Sequence, residues 1–268
     1  MSANFKCANI IRALIANIAA VTGESYDNLT TAIQALKNGY GQGGGEDKFK
    51  AFNAGTLTEI SEEDFEGTTA IRAYQFMGQT SILSVSIPDN VSSIGASAFN
   101  GCSGIEYLKL PISMDIGSDI FTGVSNVKTI EFNPGTGVGF DYSYSTYKYT
   151  PWYLSAANIS KVIFSEGITK IGKYTFYDCV GLKGDVIIPS GVTLINTYAF
   201  RGCAGINRIY IPKSMATISL GAFDLCTGIT DVYYEGAERD WALTSISTTG
   251  NDILSSATIH YNSTGLPE

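Results

Sequence analysis

Apolar side chains in this sequence follow two different periods. Over residues 8–40 they recur at three- and four-residue intervals. Ile11, Leu14, Ile15 and Ile18 form one run, and Leu29, Ile33 and Leu36 the next, which predicts two amphipathic helices separated by "TGESYDN". From about residue 58 the period becomes two. Runs such as "LSVSIP", "IEYLKLP" and "INRIYIP" alternate apolar and polar side chains, the pattern of short half-buried strands. A proline closes each run where no ladder donor is needed. Between the two regimes lies "GYGQGGG" (39–45), read as a flexible linker. Glu46 and Asp47 follow it, not the Lys-Ser or Lys-Thr of a phosphate loop.

The strands belong to a repeat. Phe76, Phe99, Phe121, Phe176, Phe200 and Phe223 are spaced 23, 22, 55, 24 and 23 residues apart. "IPDNVSSIGASAFNGCSGIEYLKLP" (87–111) matches "IPSGVTLINTYAFRGCAGINRIYIP" (188–212) position by position. A period near 23 falls within the range of about 20–29 residues of leucine-rich repeats. Such units cannot bury an apolar face alone, so they stack into a right-handed solenoid with one continuous core and a parallel sheet. The turns are expected to use Gly95, Gly117 and Gly172 in the left-handed region, with Asn196 as their substitute. The chain then divides into a helical segment (1–40), a Gly-rich linker and entry (41–57), the solenoid (58–233) and a cap (234–268). Trp241 and Leu254 are the cap residues suited to cover the last open coil.

The skeleton "IPxxVxxIGxxAFxxCxxLxxIxIP" resembles the BspA-like leucine-rich repeats of bacterial and protist surface proteins. The resemblance spans about residues 58–262, and the ending "VYYEGAERDWALTSISTTGNDILSSATIHYN" is similar to the terminal cap of such proteins. It implies a leucine-rich-repeat-like solenoid with a parallel β-sheet and short turns, and the small α-helical segment before it is read from the apolar spacing alone. "IIRALIANIAAVTGESYDNLTTAIQAL" also resembles a helix pair of bacteriophage tail and fibre proteins. That resemblance implies a virion protein released by lysis, with no need of an export signal.

Cys102, Cys179, Cys203 and Cys226 each stand three residues after a repeat Phe, where other units carry Gln79 and Val124. Equivalent positions in a solenoid lie about 5 Å apart along the stack. Free cysteine is among the most buried residue types, and Val124 fills space without binding anything, so the ladder reads as small apolar plugs. No Cys-x-x-Cys pair exists for zinc, and three adjacent equivalent thiols cannot all form disulfides. On this basis Cys203→Ser is expected to bury an unpaired hydroxyl and to cost about 1–3 kcal/mol. Cys7 lies outside the pattern.

Composition narrows the function. Hydrophobic residues at 44% and charged residues at 16% describe a folded chain of 268 residues. A net charge of -8 repels nucleic acid and anionic lipid, so neither is an expected partner. No apolar run of membrane-spanning length exists, so no membrane insertion is expected. "NIIRALIANIAAV" (9–21) is interrupted by Arg12 and Asn17 and fits an amphipathic helix better than an export signal. His260, the only histidine, has no nucleophile motif beside it and no evident group to orient it, so it reads as a strand residue. The cluster Glu59, Glu62, Glu63, Asp64 and Glu66 lacks calcium-loop spacing and reads as solvated surface. Neither a catalytic residue, a metal ligand nor a cofactor is expected, and the chain does not read as an enzyme.

Two surfaces remain for binding. If Ile105, Leu108 and Leu110 point inward, then Tyr107 and Lys109 point outward. The same register turns out Ser84, Ser86, Thr129, Glu131, Lys161, Ile163, Asp185, Ile187, Arg208, Tyr210, Asp231 and Tyr233. Tyr107, Lys109, Arg208, Tyr210 and Tyr233 stand out on this face, tyrosine and arginine being favoured at binding hot spots. The second surface is the insertion at 133–160, where Tyr142, Tyr144, Tyr147 and Tyr149 alternate with small residues as in antibody paratopes. Trp152, in "PWY", reads as packed against the next coil.

The expected function is non-enzymatic adhesion by a bacteriophage fibre, tail or head-decoration protein that presents its solenoid to a host-surface glycan or protein. The helices would bind other virion proteins and assemble a homo-oligomer, a trimer in preference. The alternatives are a virion decoration protein that recognises nothing, and a bacterial cell-surface or secreted adhesin.

Overall fold

A computed structural model of the chain describes residues 57–111, 115–116, 120–133 and 152–267. All of them lie in the second of the chain's two units, Leu57–Glu268. Among the described residues, successive coils place strands of two to six residues on one face and two-residue strands on another. On the first face β1 (Glu59–Ile60), β3 (Ser84–Ser86), β5 (Tyr107–Leu110), β7 (Thr129–Phe132) and β8 (Lys161–Ile163) pair in parallel in that order, all but β1 longer than two residues. A second sheet on the same pattern joins β10 (Gly184–Ile187), β12 (Ile206–Ile211), β14 (Asp231–Tyr234) and β16 (Thr258–His260). The short strands form two further parallel sheets. One joins β2 (Ala70–Ile71), β4 (Ser93–Ile94) and β6 (Asp115–Ile116); the other joins β9 (Lys170–Ile171), β11 (Leu194–Ile195), β13 (Thr217–Ile218) and β15 (Ser245–Ile246). The parallel β-solenoid expected from the 23-residue period is therefore the observed fold.

Register follows from the repeat, because a slip by one residue would turn each apolar row to solvent. Val85, Leu108, Ile130 and Val162 are successive partners in the first long sheet, as are Ile209, Val232 and Ile259 in the second. The repeat Phe side chains stack along the core: Phe76 on Phe99 at 4.9 Å, Phe99 on Phe121 at 5.4 Å, Phe176 on Phe200 at 5.2 Å and Phe200 on Phe223 at 5.4 Å. All six are buried. Burying one such side chain stabilises by about 1.5–3 kcal/mol, so the column is a main source of cohesion between coils.

The 55-residue interval hides a further coil. Trp152 takes the place of the repeat Phe, fully buried and stacked on Phe176 at 6.2 Å. Its indole N–H donates to the Thr175 carbonyl at 2.7 Å. Three residues on, Ser155 fills the cysteine position, also fully buried. The strand face is interrupted just after this coil, for β8 and β10 are not paired with each other. Gly184, at φ +79, opens β10 with a bulge. Val162 is half-buried at this break, although its neighbour Ile130 is fully buried.

The turns differ from the expectation. Neither Gly95, Gly172 nor Asn196 has positive φ, and Gly117 lies outside the described residues. The left-handed positions are instead two residues before and two after the repeat Phe. The first holds Tyr74, Ser97, Tyr174, Tyr198 and Gly221; the second holds Gly78, Gly101, Gly123, Asp178, Gly202 and Leu225. Gly95 answers to close approach, since a Cβ there would stand 2.3 Å from the Ala73 nitrogen.

The last coil closes on the cap helices α1 (Glu238–Trp241) and α2 (Asp252–Ser256). Leu254 is buried and Trp241, half-buried, packs on Tyr234 at 5.0 Å, the two residues anticipated for this task. Asn251 does work that was not anticipated. In earlier coils the Phe N–H donates to a carbonyl of the next coil, as Phe200 does to Ala222. In the coil that follows Phe223, which carries β15 and β16, a side chain takes that carbonyl's place, and the Phe223 N–H donates to Asn251 Oδ1 at 3.0 Å. Asn251 Nδ2 donates in turn to the Ser219 and Ser247 carbonyls, each at 2.9 Å.

Candidate binding surface

The cysteine ladder comes first, because it separates chemistry from scaffolding. Cys102, Cys179, Cys203 and Cys226 are free and buried. Desolvation pushes their thiols up, Cys102 to about 11 and Cys226 to about 12, so they stay protonated and unreactive at neutral pH. Three of them donate across the stack: Cys102 to the Phe76 carbonyl at 2.9 Å, Cys203 to Phe176 at 3.1 Å and Cys226 to Phe200 at 3.0 Å. This corrects the expected cost of serine at Cys203. A hydroxyl there finds a carbonyl, as Ser155 already does by donating to Val124 at 2.9 Å. Cys203→Ser and Cys203→Ala should then differ in urea midpoint by no more than about 1 kcal/mol of stability. Among the described residues, no group of three or more His, Cys, Asp or Glu is placed to hold a metal ion. No helix among them is long and apolar enough to cross a membrane.

Alternation along the long strands brings the predicted residues onto one outward face, in two patches separated by the break after β8. In the first patch Tyr107 pairs with Ser84 and Thr129, and Lys109 with Ser86 and Glu131. Tyr107 donates its hydroxyl to Glu131 at 2.9 Å. Burial, followed by that bond to a carboxylate, pushes Tyr107 up to about 12. Lys109 donates to Glu62 at 2.8 Å, which raises its pKa, and stands 3.8 Å from Glu131. Glu62, part of the acidic cluster read as bare surface, thus clamps one of the candidate residues.

In the second patch Asp185, Arg208 and Asp231 form one cross-strand row, and Ile187, Tyr210, Tyr233 and His260 the next. Arg208 grips Asp185 with both ends of its fork, at 2.8 and 2.6 Å. Its remaining edge donates to the Pro267 carbonyl at 3.0 Å. Tyr233 stacks on His260 at 4.4 Å, and His260 Nε2 meets Asp231 at 2.7 Å. His260 does therefore have a group to orient it, contrary to the expectation. No serine or cysteine side chain is found bonded to its ring among the described residues, and it remains a strand residue. Ile187 is 57% exposed, while Tyr107, Lys109, Arg208, Tyr210 and Tyr233 are all half-buried in these ladders. The face is thus preorganised and not a set of free side chains.

Two carboxyls give this patch a pH dependence. The Arg208 fork holds Asp185 below the ordinary 3.8, and the His260 contact, then Thr230, does the same for Asp231. A depressed carboxyl stabilises the fold above its unfolded value and loses that contribution as pH falls through the folded one. Urea midpoints should therefore decline on acidification below about pH 4, and Asp185→Asn should flatten the decline.

Tyr142, Tyr144, Tyr147 and Tyr149 lie outside the described residues, as do Ile11, Leu14, Ile15, Ile18, Leu29, Ile33 and Leu36. One cluster escaped the sequence reading. On the turn edge, Tyr174 stacks on Tyr198 at 5.6 Å, and the Arg201 guanidinium lies 5.0 Å over the Tyr177 ring and donates to Asp224 at 2.9 Å. Its signal was available as the positions two before and one after the repeat Phe.

These features define a leucine-rich-repeat solenoid with an outward strand face of aromatic and charged ladders. The chain belongs to the BspA-type leucine-rich repeat family: the model described as "BspA type Leucine rich repeat region (6 copies)" matches residues 48–150 and 149–260. Solved structures with a similar fold include a leucine-rich repeat protein from Bacteroides ovatus, 20% identical, with a TM-score of 0.51 over 77% of this chain and 54% of that one. A leucine-rich cell surface protein from Faecalibacterium prausnitzii is also 20% identical, with a TM-score of 0.41 over 73% of this chain and 65% of that one. The T. pallidum leucine-rich repeat protein gives 20% identity and a TM-score of 0.36 over 61% and 62% of the two chains. This chain spans less than two thirds of the length of each. At such identities the likeness is one of fold. No curated protein matches the chain significantly.

Proposed function

We propose that the chain is a non-enzymatic adhesion protein whose strand face takes up a surface glycan or protein. The observation that carries this is the concentration of Tyr107, Lys109, Arg208, Tyr210 and Tyr233 in two preorganised outward patches of the long sheets. Tyrosine gives contact area at little entropy cost, and side chains already held by neighbours lose less on binding. The solenoid lends such rows an extended shape suited to a polymer or a protein surface.

Residues 1–40 would supply the attachment, since two short amphipathic helices need a partner to cover their stripes. The partner is other virion proteins if the resemblance of residues 10–36 to phage tail helices is followed, with assembly as a homo-oligomer, a trimer in preference. A bacterial cell surface is the second placement, in keeping with the description of the F. prausnitzii protein. Light scattering on the full chain decides the oligomer, where a monomer would remove the anchoring role.

The binding claim is tested on a glycan array and on whole bacterial cells. Joint replacement Lys109→Ala and Tyr210→Ala should abolish capture by the full chain while circular dichroism stays that of the parent. Equal capture by parent and variant would overturn the strand face as the site.

A further inference from the structure

The segment after β16 does not leave the molecule. Asn262, at φ +54, reverses the chain, and its N–H donates to the Gly236 carbonyl at 2.9 Å. Ser263 donates its N–H to the Tyr234 carbonyl at 3.0 Å and its hydroxyl to the His260 carbonyl at 2.8 Å. Four residues later the Pro267 carbonyl has reached Arg208. The path thus runs back from β16 past the end of β14 to the outward side chain of β12. Its two anchors, Tyr234 at one end and Arg208 at the other, lie on either side of the row that holds Tyr210 and Tyr233, and Leu266 is half-buried along it.

The chemistry at the end of that path is specific. Two corners of the Arg208 fork are consumed by Asp185 and the guanidinium also hydrogen-bonds the Tyr233 side chain, while the outer nitrogen Nη1 faces the returning chain. A backbone carbonyl of the chain itself occupies it. We infer that residues 262–267 form a strap over the second patch, and that a ligand oxygen able to accept from Arg208 binds there by displacing the Pro267 carbonyl. This rests on the reading of the strand face as the binding surface, and it assigns that surface a closed and an open state.

Ser263→Pro in the full chain tests the strap, because proline has no N–H for Tyr234 and disfavours the left-handed backbone of the residue before it. Phenylglyoxal labels free guanidinium groups and is the probe. Arg208 should be modified about tenfold faster in the variant, the ratio expected for loss of one hydrogen bond to a charged group, while Arg201 on the turn edge serves as the control and stays unchanged. Capture on the glycan array and on cells should rise in the same variant. An unchanged Arg208 rate overturns the strap. A faster Arg208 rate with unchanged capture overturns the gate and leaves the strand-face reading standing. Absence of capture by every form, parent included, removes that reading and the gate with it. Should Arg201 accelerate too, hydrogen exchange on the parent protein decides. The Ser263 amide should exchange by local opening before the Ile209 amide, and exchange of both together contradicts a strap that lifts.

Discussion

Phe200→Ala should lower stability by about 3–5 kcal/mol, the range for removing a fully buried aromatic ring. Phe200 is 0% exposed and lies between Phe176 at 5.2 Å and Phe223 at 5.4 Å. Alanine leaves a cavity that the rigid coil spacing cannot close, and it removes two ring contacts worth about 0.5–1.5 kcal/mol each. The position in a stack adds a second consequence. A solenoid is held by nearest-neighbour terms, so a defect in one coil weakens coupling between the coils on either side. Urea unfolding should show a lower midpoint together with a shallower slope, the sign of two blocks melting apart. A loss below about 1 kcal/mol would mean that the ring column does not hold the coils together.

Gly104→Ala should destabilise by about 3 kcal/mol or more, at the upper end of overpacking. A Cβ at Gly104 would stand 2.2 Å from the Thr80 carbonyl oxygen and 2.8 Å from that of Ile82, both backbone atoms of the preceding coil. No rotamer change relieves such a contact, so the strands themselves must part. The same approach recurs at Gly181, Gly205 and Gly228, so the four units that carry the cysteine all place glycine two residues beyond it, whereas the Phe76 and Phe121 units have Ser81 and Asn126 there. Gly101→Ala is the informative companion. There φ is +75 and the nearest backbone atom is 3.5 Å away, so the cost is conformational, about 1–2 kcal/mol. Urea midpoints of the two variants separate crowding from backbone strain. If Gly104→Ala were the milder change, the coils would be less closely stacked than described.

Much of the fold was legible because a repeat states the same instruction several times. Phe, Cys and the strand alternation marked the core by recurrence, without need of geometry. The coil of Trp152 and Ser155 stayed hidden because Trp and Ser fill the Phe and Cys positions and the inserted residues break the count. The left-handed turns were misplaced for a different reason. Glycine and asparagine are the usual signals for that conformation, but Tyr74, Tyr174 and Tyr198 adopt it here, with Tyr174 and Tyr198 held by mutual stacking that local propensity cannot reveal.

The binding face shows the same division. Which residues point outward follows from period two, and that much was foreseen for Tyr107, Lys109, Arg208, Tyr210 and Tyr233. What clamps them was not, because the partners come from distant coils. Glu62 precedes Lys109 by 47 positions, and Pro267 follows Arg208 by 59. Asn251 belongs to the same class, a partner for the Phe223 N–H that stands 28 positions away.

The central claim is that equivalent positions of successive coils share either one dry column or one outer face. A crystal structure of the full chain measures it most directly. The account predicts Phe176, Phe200 and Phe223 stacked at about one strand spacing, with the Cys203 and Cys226 thiols unbonded to each other and pointing at the carbonyls of Phe176 and Phe200. Thiols joined in a disulfide or around an ion, or Tyr210 and Tyr233 turned into the core, would contradict it.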